Sequence, residues 1–366
     1  MAEDQAKRKS ELSRAFSEDG ELKTHVGGQA LLEGIMMRGK FNWAVAVREP
    51  EGTIYTEEHD LASGKKKNGW LYWPFIRGCR AFVESLALGY KALSIAAEHA
   101  FVEEDEEEGG EAGQRAGEAL QHASSEPKEK EPLLDDKAMM LSMVLGLVLG
   151  VVLFIVAPAF VTNLIVGEYD DKTLAWNIVD GILRIAIFVF YIWLIGRMED
   201  IKRMFGYHGA EHKTIHCFEH GLPLTPENAR SFPRLHVRCG TAFLIMVMII
   251  AIFVYTITPI GVLIDAWGVP DGPLKLALVI LVRIVLMPVI AGVSYEITVK
   301  WAGSHPDNPL VKVVLWPGMQ MQRLTTREPD DGQIECAIAA MELVLAREQL
   351  EEGEAESSPA AFAVSQ

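Results

Sequence analysis

Four stretches of the chain stay apolar on every face for about the 20 residues that a helix needs to cross a bilayer: 139–160, 176–196, 241–264 and 274–297. A buried soluble helix rarely stays apolar all round for so long, so the pattern predicts four membrane-spanning helices. The first and third carry no charge. The second holds Asp180 and Arg184, four apart on one face and able to neutralise each other. The fourth holds Glu296 near its end and Arg283 about halfway along, where an arginine needs a partner, a cavity or a snorkelling route.

Shorter periodicities lie outside the spans. Residues 43–48 and 53–58 alternate apolar and polar around Glu49-Pro50-Glu51-Gly52, which predicts a β-hairpin closed by a type I turn. The glycine-rich run 26–39 before it carries only Glu33 and Arg38 as charged side chains. It reads as a tight loop holding the hairpin, or as a polar ligand site. Phe82, Leu86, Tyr90, Leu93 and Ala97 recur at helical spacing after Trp70, Tyr72 and Trp73. That amphipathic helix either lies along a membrane surface or packs on the hairpin. Ile334, Ile338, Met341 and Leu345 form a further stripe, with a cap at Asp330-Asp331-Gly332-Gln333. The fold class is therefore mainly α and integral to a membrane, with four transmembrane helices, a cytoplasmic β-hairpin and amphipathic helices.

Charge gives the spans a direction. The segment between spans two and three carries Arg197, Lys202, Arg203, Lys213, Arg230, Arg234 and Arg238, and basic residues also precede the first span and follow the last. Loop 161–175 has one basic residue, Lys172, and loop 265–273 has none. Positive residues mark the cytoplasmic side, so both termini and the central loop are expected there. The domains follow as a disordered start (1–24), hairpin plus helix (25–100), an acidic disordered linker (101–137) and a membrane domain (138–300) with a His-rich loop (197–240). A cytoplasmic helical segment (301–349) and a disordered tail (350–366) complete the chain. The net charge of -16 comes largely from acidic runs in the linker and tail, which is solvated-chain composition. Nothing suggests nucleic acid as a partner, since no basic stripe with interleaved aromatics occurs. Cys79, Cys217, Cys239 and Cys336 are far apart with no CxxC, so disulfides are not expected. Residues 1–20 lack the apolar core of a cleavable signal peptide.

The candidate chemistry lies in the central loop. His208, His212, His216 and His220 are four of the ten histidines and recur every fourth residue. Two histidines one turn apart can grip one metal ion. All four cannot share it, because the outer pair would stand roughly 18 Å apart at about 1.5 Å per residue. His208-Gly209-Ala210-Glu211-His212 fits H-x-x-E-H, in which two histidines bind zinc and the glutamate takes a proton from water. Glu296 is the expected third ligand, His216, His236 and Cys239 being additional candidates. Gly209 is unfavourable inside a helix by roughly 1 kcal/mol relative to Ala.

Taken together, several segments resemble the YqhQ-like family of bacterial membrane proteins. They are Gly27-Gly28-Gln29-Ala30 through Glu33-Gly34-Ile35-Met36-Met37-Arg38, Pro74-Phe75-Ile76-Arg77-Gly78, Tyr207-His208-Gly209-Ala210-Glu211-His212-Lys213, Leu235-His236-Val237-Arg238-Cys239-Gly240-Thr241, Ala291-Gly292-Val293-Ser294-Tyr295-Glu296 and Leu324-Thr325-Thr326-Arg327-Glu328-Pro329. The resemblance covers roughly residues 27–345 and implies the four-span layout and a metal-dependent enzyme. Val237 departs from it, since the family pattern tends to have proline there. Three functions compete. One is a zinc hydrolase at the cytoplasmic membrane face, with His208, His212 and Glu296 as ligands and Glu211 as base. Another is a scaffold or assembly factor docking a protein partner from the cytoplasm. The last is an oligomeric transporter using Arg184 and Arg283.

Overall fold

A computed structural model describes residues 14–15, 26–61, 69, 72–74, 76–100, 136–167, 173–237, 239–258, 260–302, 305 and 308–357. Nearly all of the expected acidic linker, most of the N-terminal 24 residues and the last nine of the tail lie outside the described residues. Ala15 packs with Leu235 and Met319, so part of the N-terminal segment is built into the fold.

Four strands form an antiparallel meander in chain order: β1 (Gly27–Leu31), β2 (Gly34–Arg38), β3 (Asn42–Arg48) and β4 (Ile54–Asp60). The expected hairpin is β3–β4, whose turn is closed by Gly52 N–H donating to the Glu49 carbonyl at 2.9 Å. The glycine-rich run before it is a second hairpin rather than a loop. Leu31 faces Gly34 across a turn made by Leu32 and Glu33, with Glu33 at φ 50°. Strand β2 escapes a period-two reading because it is buried on both faces, and a doubly covered strand does not alternate.

The helices run in order as α1 (Ile76–Ala100), α2 (Asp136–Val151), α3 (Ala157–Val166), α4 (Thr173–Ile195), α5 (Glu199–Glu219), α6 (Pro226–Arg230), α7 (Gly240–Ile257), α8 (Ile260–Asp265), α9 (Pro273–Tyr295), α10 (Pro309–Thr325) and α11 (Asp331–Ser357). A π-helical turn, Val152–Val156, joins α2 to α3, and a second, Glu296–Ala302, extends α9. Helix α11 carries the expected cap: Asp330 Oδ1 accepts from Gln333 N–H at 2.8 Å, and Gln333 Oε1 accepts from Asp330 N–H at 3.2 Å. It continues to Ser357, into the stretch expected to be a disordered tail.

One face of the sheet packs on α5 and α11, burying Ile35, Met37, Tyr207, Ala210, Ile334 and Met341. The other receives α1 through Ala92 and Ala96. Of the two readings of the α1 stripe, packing on the hairpin does not hold for its first large residues, which face out, with Phe82 43% and Leu86 60% exposed. Small residues make the contacts: a Cβ on Gly78 would stand 2.8 Å from Gly292 Cα and from Tyr295 Cβ, so α1 touches α9 backbone to backbone.

Three continuous helical stretches are long and apolar enough to cross a membrane: Met140–Val166, Leu174–Ile195 and Pro273–Ala302. The remaining expected span, 241–264, is interrupted. Thr258 leaves the helix at φ -86°, ψ 120°, separating α7 from α8, and Pro259 in the sequence disfavours a helical residue before it. Phe243–Ile257 is thus a shorter apolar helix, and four full-length spans reduce to three among the described residues. Trp176, Ile250, Tyr255, Val279 and Ile290 join α4, α7 and α9 in one apolar core. Arg283, fully buried there, is partnered by Asp180 and by Asn177, whose Oδ1 lies 2.5 Å from Nη2.

Candidate metal centre

Helix α5 begins with Glu199 and Asp200 in its first turn, where acidic side chains favour the positive end of the helix dipole. It ends where Gly221 takes φ 67°. Its second half is buried on nearly every side, although it carries three histidines (His208, His212 and His216), a lysine and two glutamates. Such groups need partners when buried, and the backbone supplies many of them. The irregular segment between α6 and α7 runs back along α5 and offers its carbonyls. Lys213 Nζ donates to the carbonyls of Arg230 (2.9 Å) and Phe232 (2.8 Å) and pairs with Glu328 at 2.6 Å. His212 Nδ1 lies 2.5 Å from the Arg234 carbonyl, and His216 Nε2 lies 3.0 Å from that of Leu235. His208 Nδ1 meets the Thr325 carbonyl, at the end of α10, at 2.8 Å.

Gly209 makes that arrangement possible. A Cβ there would stand 2.1 Å from the Arg327 carbonyl oxygen, so residues 327–329 cross directly over the helix. The intrinsic cost of glycine in a helix is exchanged for this close approach.

A carbonyl can only accept, so each imidazole meeting one donates from that nitrogen and keeps its lone pair on the other. For His208 and His212 the lone pair falls on Nε2, which for His208 lies 3.1 Å from Cys239 Sγ. His208, His212 and Cys239 present ligand atoms all within 4.8 Å of one another. His212 Nε2 is buried without a well-formed hydrogen bond among the described residues. Burial holds the His212 pKa down at about 4, so the ring is neutral at physiological pH. Burial alone would raise the Cys239 thiol, but the facing His212 ring and bonding to Thr241 outweigh it and hold it below its ordinary value. Cys239 also caps α7, accepting from Thr241 N–H at 3.4 Å.

Glu211 stands three residues beyond His208, a spacing that makes the two side chains neighbours on the helix surface. It is 6% exposed, its Oε1 accepts from Gly28 N–H at 2.8 Å, and burial pushes its pKa up to about 7. A second group, His216, Glu219 and His236, also presents ligand atoms within 4.8 Å of one another.

Other sequence candidates lie elsewhere. Glu296 does not join the histidines, because Arg77 grips it, with Nε 2.7 Å from Oε1 and Nη2 on Oε2. Cys239, an additional candidate in the sequence, is the residue grouped with His208 and His212 in place of Glu296. Glu33 and Arg38 make no common site: Glu33 binds Arg203, and Arg38 binds Glu84 at 3.0 Å. His220 turns aside, its Nδ1 on the His216 carbonyl at 2.7 Å and its ring on Phe232. Glu219 was missed by the sequence reading. The signal for it is His216-Cys217-Phe218-Glu219-His220, a second H-x-x-E-H eight residues after the first. Nothing in the sequence pointed to the carbonyls of Thr325, Arg234 and Leu235.

Comparison with known proteins agrees with the motifs. The family model described as "Protein of unknown function (DUF1385)" matches residues 73–347. "Uncharacterized protein YqhQ" of Bacillus subtilis (strain 168) is 32% identical over 326 residues, which cover 89% of this chain and 94% of the relative. No solved structure matches. The match through α1, the apolar helices, the histidine column and most of α11 makes this chain a member of the DUF1385 family, to which the YqhQ-like motifs already pointed.

Proposed function

We propose that the chain is a zinc-dependent hydrolase of the cytoplasmic membrane face, with His208, His212 and Cys239 as ligands and Glu211 as proton acceptor. One observation carries the reading: two histidines a turn apart spend Nδ1 on main-chain carbonyls and direct Nε2 toward one buried thiol. The donor set fits zinc, and three protein ligands with a fourth position open is the pattern of catalytic rather than structural sites. Zinc held there would supply Lewis acidity that brings the pKa of water near neutrality. Glu211, oriented by Gly28 N–H, would receive the proton. His208 and His212 are fixed in orientation because the Thr325 and Arg234 carbonyls each accept an N–H from them.

In this reading the chain crosses the bilayer four times, α7 and α8 forming a broken fourth crossing. The basic residues of the central segment keep α5 and both ends in the cytoplasm. Metal analysis of the detergent-purified full chain beside His212→Ala tests it. Wild type should carry zinc that the variant loses. Folded, metal-free wild type that no divalent ion stabilises would sink the reading.

A scaffold reading is favoured by the outward stripe on α1, where Trp73, Phe82, Val83 and Leu86 stand exposed. It expects Glu211→Gln to keep the cellular phenotype and charged substitutions on that stripe to abolish it. Transport gains no support, since Arg184 and Arg283 both pair with Asp180.

A further inference from the structure

We infer that His216, Glu219 and His236 form a second zinc-class cation site beside the first, making the centre binuclear. Three donors of the types that bind zinc are buried together, at 1%, 1% and 2% exposure, with ligand atoms within 4.8 Å of one another. Two histidines and a glutamate are a known zinc donor set.

Each histidine is held in place. His216 donates from Nε2 to the Leu235 carbonyl at 3.0 Å, which leaves the lone pair on Nδ1. His236 is fixed through its backbone: its N–H donates to Gln322 Oε1 and its carbonyl accepts from Gln322 Nε2, both at 2.8 Å. The two rings stand 4.5 Å apart, centroid to centroid, at 69°.

The simplest alternative is an ion pair between a protonated His236 and Glu219. Their closest atoms, Nε2 and Oε2, are 3.5 Å apart. A charge-assisted N–H···O bond in a buried pair closes to about 2.7–2.9 Å. Two donors at about 2.0–2.1 Å from one tetrahedral ion stand roughly 3.4 Å from each other. The observed spacing fits an edge of a coordination tetrahedron better than an ion pair.

The sites adjoin. His212 of the first group and His236 of the second have ring centroids 5.7 Å apart, so the two donor sets share one buried wall. The second site uses none of His208, His212 or Cys239, so either site can fail alone.

The test is zinc stoichiometry and X-ray absorption on the zinc-loaded full chain in detergent micelles. Two zinc ions per chain, with one sulfur neighbour per two zincs on average, are expected. Wild type answers without any variant, which guards against misfolding. Glu219→Gln should leave one zinc per chain with one sulfur per zinc, and Cys239→Ser one zinc with no sulfur. One zinc per chain in wild type with one sulfur per zinc overturns the second site and leaves the first standing. Two zincs retained in Glu219→Gln also overturn it, and no bound zinc overturns both.

Discussion

Arg283 Nη1 lies 2.6 Å from Asp180 Oδ2, both side chains buried between α4 and α9. Arg184 Nη2 reaches the same oxygen at 2.9 Å, so one carboxylate serves two guanidinium groups. The rings of Trp176 and Tyr255 sit 4.5 and 4.6 Å from the Arg283 guanidinium and share its charge through their faces. Removing the shared anion leaves two buried cations, which costs about 3–5 kcal/mol where a buried pair is broken. Asp180→Asn should therefore destabilise the chain more than Arg283→Met, as read by thermal unfolding in detergent. The reverse order would show that the carboxylate is not the anchor.

Helix propensity and packing make opposite forecasts at Gly209. An exposed glycine replaced by alanine in a helix gains roughly 1 kcal/mol. Here the new methyl would meet the Arg327 carbonyl oxygen at 2.1 Å, and backbone cannot swing aside as a side chain can. Gly209→Ala should destabilise by several kcal/mol, on the order of the larger overpacking costs. Unchanged or higher thermal stability would mean that residues 327–329 do not cross α5 so closely.

Burial sets a pH dependence at Glu211. Its pKa in the folded metal-free chain rises to about 7, from 4.5, so the folded state holds the proton more tightly than the unfolded state. The associated stability is full below about pH 4.5 and is lost as pH rises through 7. Above that, Glu211→Gln should be the more stable of the two by up to about 3 kcal/mol. Melting curves in chelator from pH 5 to pH 8.5 check this: wild type declines, whereas the glutamine variant lacks that component. Parallel curves would refute a buried, proton-retaining Glu211.

Cys336 offers a probe away from the site. It is fully buried, and burial pushes its thiol up to about 11. At pH 8 only about one such thiol in a thousand is the reactive thiolate. Alkylation followed by mass spectrometry should leave Cys336 unmodified in the folded chain and label it after denaturation. Rapid native labelling would show that α11 is not seated on the sheet.

The sequence displayed elements whose periodicity or caps are local. The β3–β4 hairpin, the Asp330–Gln333 cap and three long apolar helices are legible residue by residue. β1 and β2 were not, because the apolar run of β2 reflects cover on both faces. The stripe of α1 left two readings open, and only the fold shows that its small residues, Ala92 and Ala96, do the packing while large ones such as Phe82 and Leu86 face out. The central helix supplied His208, Glu211 and His212 by spacing alone. Glu296 was chosen by its place along the fourth span, and only three-dimensional neighbours show Arg77 holding it and Cys239 beside the histidines. Main-chain carbonyls have no signature in a side-chain alphabet, so the orienting half of the centre stayed invisible.

The partners that steady the column come late in the chain. His208 waits for the Thr325 carbonyl, His236 for Gln322, Lys213 for Glu328, and Gly209 for the crossing at Arg327. A nascent chain stopped after residue 302 would hold every apolar helix yet leave these histidines without their orienting contacts. The contacts that hold His208 and His236 are thereby delayed until residues 322–328 have been made, and a product truncated before them would carry the candidate ligands without that support.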